Sequence, residues 1–246
     1  MGGLKVRIYY WNKRQIAKTL VILSAVFVIA VLGYDILKDD TVVMTLASQP
    51  IYQGDSRFQK MALTINVDWG EEFIPDMLKI LKANNAKATF FITGRFAGKF
   101  PELVKMIAED GHEIGNHGYS HPHPDKLSKK ENQEEIKKTE QVIFEVSGVK
   151  TTLFAPPYGE HKPHVIEAAE ELQYKVILWT IDTVDWDKNR KPQDIYEKIL
   201  KNAQNGAIVL MHPTERTLKA LENIVKDLQK KGFELTTLSQ LLPKGK

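Results

Sequence analysis

Two histidines and one aspartate in this 246-residue chain have the types and the spacing of a metal site. His117 and His121 form an H-x-x-x-H pair, and Asp68 directly follows ALTINV at residues 62–67, an apolar run of strand length. Two imidazoles and one carboxylate are a three-ligand set that leaves one coordination position of a divalent metal open for water. A pair of surface histidines also explains the H-x-x-x-H spacing, but the aspartate at a second strand end favours the metal site.

The elements that must position these residues are visible as an alternation of strand-length and helix-length patterns from Met61 onward. Seven strands are predicted, at residues 62–67, 88–93, 112–116, 151–155, 175–180, 207–211 and 233–237. Six helices are predicted, at residues 74–82, 101–109, 129–146, 164–172, 192–202 and 216–231. Ser128 and Glu131 have the spacing of a capping box for the third helix.

Such an alternation predicts an α/β fold of parallel strands joined by right-handed helical crossovers. In parallel β/α barrels the chemistry lies at the carboxyl ends of the strands and in the loops that follow. Every predicted strand end but one carries reactive residues, which indicates a site at that end of the sheet.

Composition and charge exclude several classes of protein. The absence of cysteine excludes disulfide scaffolds, cysteine-ligated metal sites and cysteine nucleophiles. The first 18 residues hold five basic residues and no acid, so 29 basic and 31 acidic residues remain in the rest of the chain. A body with this balance lacks the basic surface that binds phosphate backbones, and we expect no nucleic-acid partner.

The basic N-terminus precedes an uncharged stretch at residues 19–34, which is typical of a signal anchor. As a helix this stretch spans about 24 Å, a little less than a hydrocarbon core of about 30 Å. We therefore expect a basic cytoplasmic tail at 1–18, a transmembrane segment at 19–34, a linker at 35–60 and an extracytoplasmic domain at 61–246. No clean cleavage site follows the stretch; cleavage with secretion, and a buried helix of a soluble protein, are the alternatives.

Five short motifs in the body resemble, in their order, those of the polysaccharide deacetylases, the NodB homology domain of carbohydrate esterase family 4. They are TINVDWG, NHGYSHP, APPYG, DTVDW and LMH, and the resemblance covers about residues 60–243. It implies a distorted (β/α)7 barrel, here preceded by the anchor helix, with one divalent metal, usually zinc or cobalt. It also implies removal of acetyl groups from an N-acetylated polysaccharide such as peptidoglycan or a chitin-like glycan.

The resemblance assigns the metal ligands and the acid of the reaction. Asp68, His117 and His121 would hold the metal, His212 would protonate the departing amine, and Asp185 would orient His212. Amide hydrolysis needs an activated water, charge stabilisation on the carbonyl oxygen and a proton for the leaving nitrogen, and these residue types can supply all three.

The resemblance also assigns the rest of the pocket and reveals two departures from the family pattern. The backbone N–H of Tyr158 would help to bind the oxyanion, and Trp186 and Leu210 would line the pocket for the acetyl methyl group. Asn66 stands at the place of the usual general-base aspartate, and Ala155 at the place of the arginine that usually pairs with that base. The two losses are physically coupled, because an arginine facing a neutral side chain would be an unpaired buried charge.

Two functions remain open from the sequence. The first is a membrane-anchored, metal-dependent de-N-acetylase of a cell-wall or related polysaccharide. The second is a variant family member with little turnover, which acts as a glycan-binding or envelope-assembly protein. Glu71, Glu72 and Glu160 are conceivable substitutes for the missing base, and solvated carboxylates at helix starts are the alternative explanation for them.

Overall fold

The computed structural model describes residue 10, residues 12–38 and residues 49–243, and the chain divides into two units, Met1–Leu46 and Ala47–Lys246. In the first unit, helix α1 (Lys13–Lys38) contains the predicted anchor. Of the helices in the described ranges, none is both long and apolar enough to cross a membrane. The anchor therefore stays a prediction. Much of the predicted tail (1–9 and 11) and residues 39–48 of the predicted linker lie outside the described residues.

The second unit is built on one parallel sheet of eight strands. The strands are β1 (Lys60–Val67), β2 (Ala88–Ile92), β3 (Glu113–Asn116), β4 (Leu153–Phe154), β5 (Lys175–Val176), β6 (Ile181–Asp182), β7 (Ile208–Met211) and β8 (Glu234–Leu235). Their order is β5-β4-β3-β2-β1-β7-β6, and β8 also pairs with β1. The carboxyl end of β1 therefore lies between β2 and β7.

The two faces of the sheet carry different cores. One face contributes small and aliphatic side chains together with Phe91 to an inner cluster, in which Ala62 and Ile208 are fully buried. The alternate residues of β1, such as Leu63 and Ile65, pack with the helices in a larger outer cluster. Because successive side chains of a strand point to opposite faces, this division follows directly from the sequence of β1.

The six helices predicted in the body are all present, with bounds within one residue of the prediction. They are α2 (Ile74–Ala83), α4 (Pro101–Glu109), α5 (Lys129–Ser147), α6 (Pro163–Glu171), α7 (Pro192–Asn202) and α8 (Glu215–Lys230). The capping box of α5 is confirmed, since the Ser128 side chain accepts from the Glu131 N–H and the Glu131 carboxylate accepts from the Ser128 N–H. Two short helices, α3 (Gly94–Lys99) and α9 (Leu238–Leu241), were not predicted, because six and four residues are too few to show a helical period.

The predicted strand at 175–180 differs from the structure. Only its first two residues form β5 beside β4, and β6, directly after the predicted span, pairs with β7. The whole sheet therefore contains eight strands where seven were predicted. Between β5 and β6, Ile177 pairs with Ile51, and Thr180 Oγ1 donates to the carbonyl of Tyr52 at 2.6 Å. Residues 51–53 were assigned to the linker, yet they belong to the domain because they supply these hydrogen bonds.

His112, at the start of the β3 region, is a buried imidazole far from the carboxyl ends of the strands. Its Nδ1 accepts from the Ala88 N–H at 3.2 Å, and its ring meets the edge of Phe90. Its Nε2 has no hydrogen-bond partner among the described residues. Burial, reinforced by the positive charge of Lys87 and opposed by Asp110, lowers the pKa of His112 to about 4. The ring is therefore neutral at pH 7.

We expect this histidine to make the domain sensitive to acid. An unfolded imidazole binds a proton near pH 6.5, whereas the pKa of folded His112 is about 4, so stability falls as the pH drops through this window. His112→Asn keeps an acceptor for the Ala88 N–H and cannot be protonated. When the pH falls from 7 to 5, the unfolding free energy of this variant should decrease by about 1–2 kcal/mol less than that of the wild type. Urea unfolding of both proteins across this range measures the difference, and identical slopes would contradict the assignment.

Candidate active site

A pocket of about 780 Å³ opens at the carboxyl ends of the strands, where the sequence predicted the site. It is lined by eight of the nine residues predicted at catalytic, metal-binding or substrate-binding positions: Asn66, Asp68, His117, His121, Tyr158, Trp186, Leu210 and His212. The ninth, Asp185, is fully buried and contacts His212. The parallel sheet therefore brings together residues that are up to 146 positions apart in the chain.

Asp68 is held by Arg95, which lies outside the five motifs. Its Oδ1 accepts from Thr93 Oγ1 at 2.9 Å and from Arg95 Nε at 2.6 Å, and its Oδ2 accepts from Arg95 Nη2. Burial alone would raise the pKa of Asp68, but the hydrogen bonds from Arg95 and Thr93 more than offset it, and the pKa lies below its usual value. The carboxylate is therefore ionised and paired.

His117 and His121 lie side by side in the loop after β3, with ring centroids 5.0 Å apart. His117 donates from Nδ1 to the carbonyl of Ala155 at 2.6 Å, which fixes its tautomer and leaves the lone pair on Nε2. Burial, together with the neighbouring His121, lowers the pKa of His117 to about 3, and burial also lowers that of His121. Both rings are neutral at pH 7, which is the form that binds metals.

The three predicted metal ligands do not form a complete donor set in this structure. Among the described residues no three His, Asp or Glu side chains are placed to hold one ion together. The histidines fit a metal, because a neutral imidazole oriented by a backbone carbonyl is a usual ligand arrangement. The carboxylate of Asp68 does not fit as placed, because both of its oxygens accept hydrogen bonds from Arg95.

His212, which lines the pocket, forms a closely bonded pair with the buried Asp185. His212 donates from Nδ1 to Asp185 Oδ1 and from its backbone N–H to Oδ2, each at 2.7 Å. Thr217 Oγ1 also donates to Oδ2, and the indole of Trp69 stacks parallel to the His212 ring with centroids 6.0 Å apart. These contacts fix the orientation of the imidazole, with Nδ1 bonded to Asp185 and Nε2 not. A histidine that donates a proton to a substrate needs this arrangement.

The loop that carries Asp185 contains a strained residue. Val184 has φ +58°, a left-handed conformation that is rare for a β-branched residue. Its N–H bonds to Asp182 Oδ1 at 2.8 Å, and Arg216 Nη1 donates to the carbonyl of Asp185 at 2.8 Å. A strained conformation of this kind persists only where surrounding contacts hold the backbone in place. Here the two hydrogen bonds hold the loop that bears Asp185, the partner of His212.

Tyr158, on the loop after β4, also lines the pocket. It has φ +59°, its ring stacks on His123 with centroids 4.1 Å apart, and it meets the ring of His121 at 4.8 Å. His123 Nδ1 lies 2.8 Å from Glu160 Oε1, and Glu160 Oε2 accepts from the Asp125 N–H. Glu160 therefore joins two loops, which leaves it poorly suited to replace the missing base.

The position predicted for the general base holds a neutral side chain whose acceptor oxygen has no partner among the described residues. Asn66 is 6% exposed, and its buried Oδ1 has no hydrogen-bond partner among the described residues. Ala155 is also buried and belongs to the inner cluster of the sheet. Glu71 and Glu72, the other two candidate substitutes, are not among the described residues that line the pocket.

Sequence reasoning missed Arg95, Trp69 and Trp179, which also line the pocket. Arg95 lies just past the carboxyl end of β2, where none of the five motifs is located. The sequence contained one indication of its role: a basic residue follows the strand β2, and β2 is the parallel neighbour of β1, which carries Asp68 at its end. Trp69 was visible within the first motif, but no pattern in the sequence indicated that it stacks on a histidine.

A family model, curated relatives and solved structures all show similarity to the same family. Residues 53–177 match the model of the polysaccharide deacetylase family. The uncharacterized protein YlxY of Bacillus subtilis is 40% identical over 86% of this chain and 66% of its own length. A peptidoglycan-N-acetylglucosamine deacetylase of Bacillus cereus is 36% identical over 79% of this chain and 72% of its own. The structure of a carbohydrate esterase family 4 pseudoenzyme from Bacillus anthracis superposes with a TM-score of 0.77 at 38% identity, covering 79% of this chain and 69% of that one.

Proposed function

Because the chain belongs to the polysaccharide deacetylase family, we propose that it binds N-acetylated glycan chains of the peptidoglycan type and hydrolyses them slowly at most. The observation that carries the proposal is Asn66, whose buried and unpaired Oδ1 lines the pocket where a deacetylase would hold its base. The substrate class is taken from the Bacillus cereus relative, and the low turnover agrees with the likeness to a pseudoenzyme.

The shape of the pocket supports glycan binding. Trp69, Tyr158 and Trp186 line it with 45%, 58% and 58% of their surface exposed. Exposed apolar surface grouped at the mouth of a polar pocket marks a ligand groove, and sugar rings present apolar faces to such surfaces. Inside, the Asn66 oxygen is an acceptor that needs a donor, and the N–H of an acetamido group or a sugar hydroxyl supplies one.

The same geometry argues against rapid hydrolysis. Asn66 cannot accept a proton from water, and the neighbouring Asp68 carboxylate is already hydrogen-bonded to Arg95 and Thr93. Asp182 also lines the pocket, but its Oδ1 accepts from the Val184 N–H. General-base catalysis typically contributes about 10²–10⁴-fold, so its loss leaves a binding site with weak turnover.

Slow de-N-acetylation is the second candidate, and His212 favours it. The bond from His212 Nδ1 to the buried Asp185 is the arrangement that stabilises a protonated imidazole, which can deliver a proton to a leaving amine. A pocket used for binding alone has no need of this pair. Zinc or cobalt as the cofactor and the extracytoplasmic location stay predictions from the sequence.

Calorimetry with N-acetylglucosamine oligomers, before and after chemical removal of their acetyl groups, tests the proposal on the full-length chain. We expect at least about 10-fold tighter binding of the acetylated oligomers, a difference of about 1.4 kcal/mol, because the polar pocket is matched to the acetamido group. Acetate release, followed in the same samples, should be slow. Equal affinity for both oligomers, or no affinity for either, would refute the proposal.

A matched pair of variants locates the binding site. Trp186→Ala removes a pocket aromatic that is 58% exposed and should weaken binding of the acetylated oligomers about 10-fold. Phe144→Ala removes an aromatic of α5 that is 57% exposed and does not line the pocket, and it should leave the affinity unchanged. Equal effects of the two substitutions would place the glycan elsewhere.

A further inference from the structure

In the pocket, Arg95 pairs with Asp68, the carboxylate that was predicted to hold a metal. Arg95 reaches Asp68 through two nitrogens, Nε to Oδ1 and Nη2 to Oδ2. The Asp68 side chain is 9% exposed, whereas that of Arg95 is 51% exposed. A nearly buried carboxylate is therefore neutralised by a guanidinium that enters from the solvent side.

The position of Arg95 is fixed by the backbone around it. Thr93 caps α3 by accepting from the Phe96 N–H, and the same hydroxyl donates to Asp68 Oδ1. The Arg95 N–H donates to the carbonyl of Tyr119, in the loop that also carries His117 and His121. The backbone of Arg95 is therefore bonded to the loop that carries the two predicted histidine ligands, and its side chain reaches the predicted aspartate ligand.

The bonding leaves Asp68 little capacity for a second cation. Oδ1 accepts two hydrogen bonds and Oδ2 accepts one, so a metal ion could reach only one remaining lone pair and would lie beside the positive guanidinium. An arginine stays charged at any ordinary pH and binds a carboxylate with matched, bidentate geometry.

We propose that Arg95 is a tethered cation that occupies Asp68 and keeps divalent metals out of this pocket. It determines the specificity of the site: with Arg95 in place the carboxylate is paired internally, and without it Asp68, His117 and His121 become free to act as one donor set. The proposal does not depend on glycan binding, which is measured separately.

Calorimetric titration of the full-length chain with Zn²⁺, and separately with Co²⁺, tests this role. We expect Arg95→Ala and Arg95→Gln to bind either ion at least about 10-fold more tightly than the wild type, because each removes the guanidinium charge that is paired with Asp68. Arg95→Gln keeps most of the side-chain bulk, so it gives the answer if Arg95→Ala weakens folding. Adding Asp68→Asn to either variant should remove the gain.

Arg57 provides the matched control. It forms the same kind of two-nitrogen pair with Asp55, outside the pocket. Arg57→Ala should therefore leave the affinity for both ions unchanged. The proposal is overturned if the wild type already binds the metals as tightly as the Arg95 variants, or if the gain persists after Asp68→Asn.

Discussion

We expect the double variant Asn66→Asp/Ala155→Arg to release acetate from N-acetylated glycans at least about 10²-fold faster than the wild type. This is the lower end of what a positioned general base contributes. Both side chains lie at carboxyl ends of strands, and both are at most 6% exposed. Ala155 belongs to the inner cluster with Ala62, and Asn66 follows Ala62 by four residues along β1, so Asn66 and Ala155 face the same interior.

The two single variants should gain little. A new carboxylate at position 66 would stand beside Asp68 without a cation of its own, because Arg95 is committed to Asp68 and like charges raise one of two neighbouring carboxyl pKa values. A lone arginine at position 155 would be an unpaired buried charge, with a loss of stability of about 3 kcal/mol or more. The effects of the two substitutions on the rate of acetate release should therefore be strongly non-additive.

Acetate release should be measured with Zn²⁺ in excess, so that competition from Arg95 for Asp68 limits neither protein. Circular dichroism and a thermal melt establish that each variant is folded. If the wild type already releases acetate at the rate of the double variant, the low-turnover hypothesis is wrong. Another group would then be activating the water.

Asp185→Asn should destabilise the domain by about 2–4 kcal/mol, the effect expected for disrupting a buried charged network. Both Asp185 oxygens are acceptors, for His212 at two sites and for Thr217, and Asp185 is fully buried. An asparagine has one acceptor oxygen, and its amide group must face one of these donors. It should also release His212 from its fixed tautomer, which weakens any proton donation to a leaving amine.

Denaturant unfolding measures the change in stability, and nitrogen NMR of the imidazole measures the tautomer of His212. Asp182→Asn is the control, because Asp182 lies on the same loop and its Oδ1 accepts a single backbone N–H, from Val184, which an asparagine can also satisfy. A loss of stability as large for Asp182→Asn as for Asp185→Asn would show that the loop, and not the buried network, is responsible.

Much of the fold was determined by local patterns that the sequence displays directly. The helical period of α8 buries Leu221, Ile224 and Leu228 and was visible without any partner element. The Ser128 capping box was equally readable, because its two hydrogen bonds join residues three positions apart. Short elements were not readable from the sequence. Of the strand predicted at 175–180, only the first two residues form β5, and the next residue, Ile177, pairs with Ile51, more than 120 residues earlier.

For the site, the sequence by itself determined which residues face the pocket. Parallel strands bring their carboxyl ends to one edge, so Asp68, His117 and His212 had to meet there, beside Asn66 at the position predicted for the base. The tertiary structure alone decided how those groups pair. Arg95 lies 27 residues from Asp68 and reaches it through the rotamer of a long side chain on an unpredicted helix. Because such a contact depends on distance and direction in space, no period or spacing in the sequence records it.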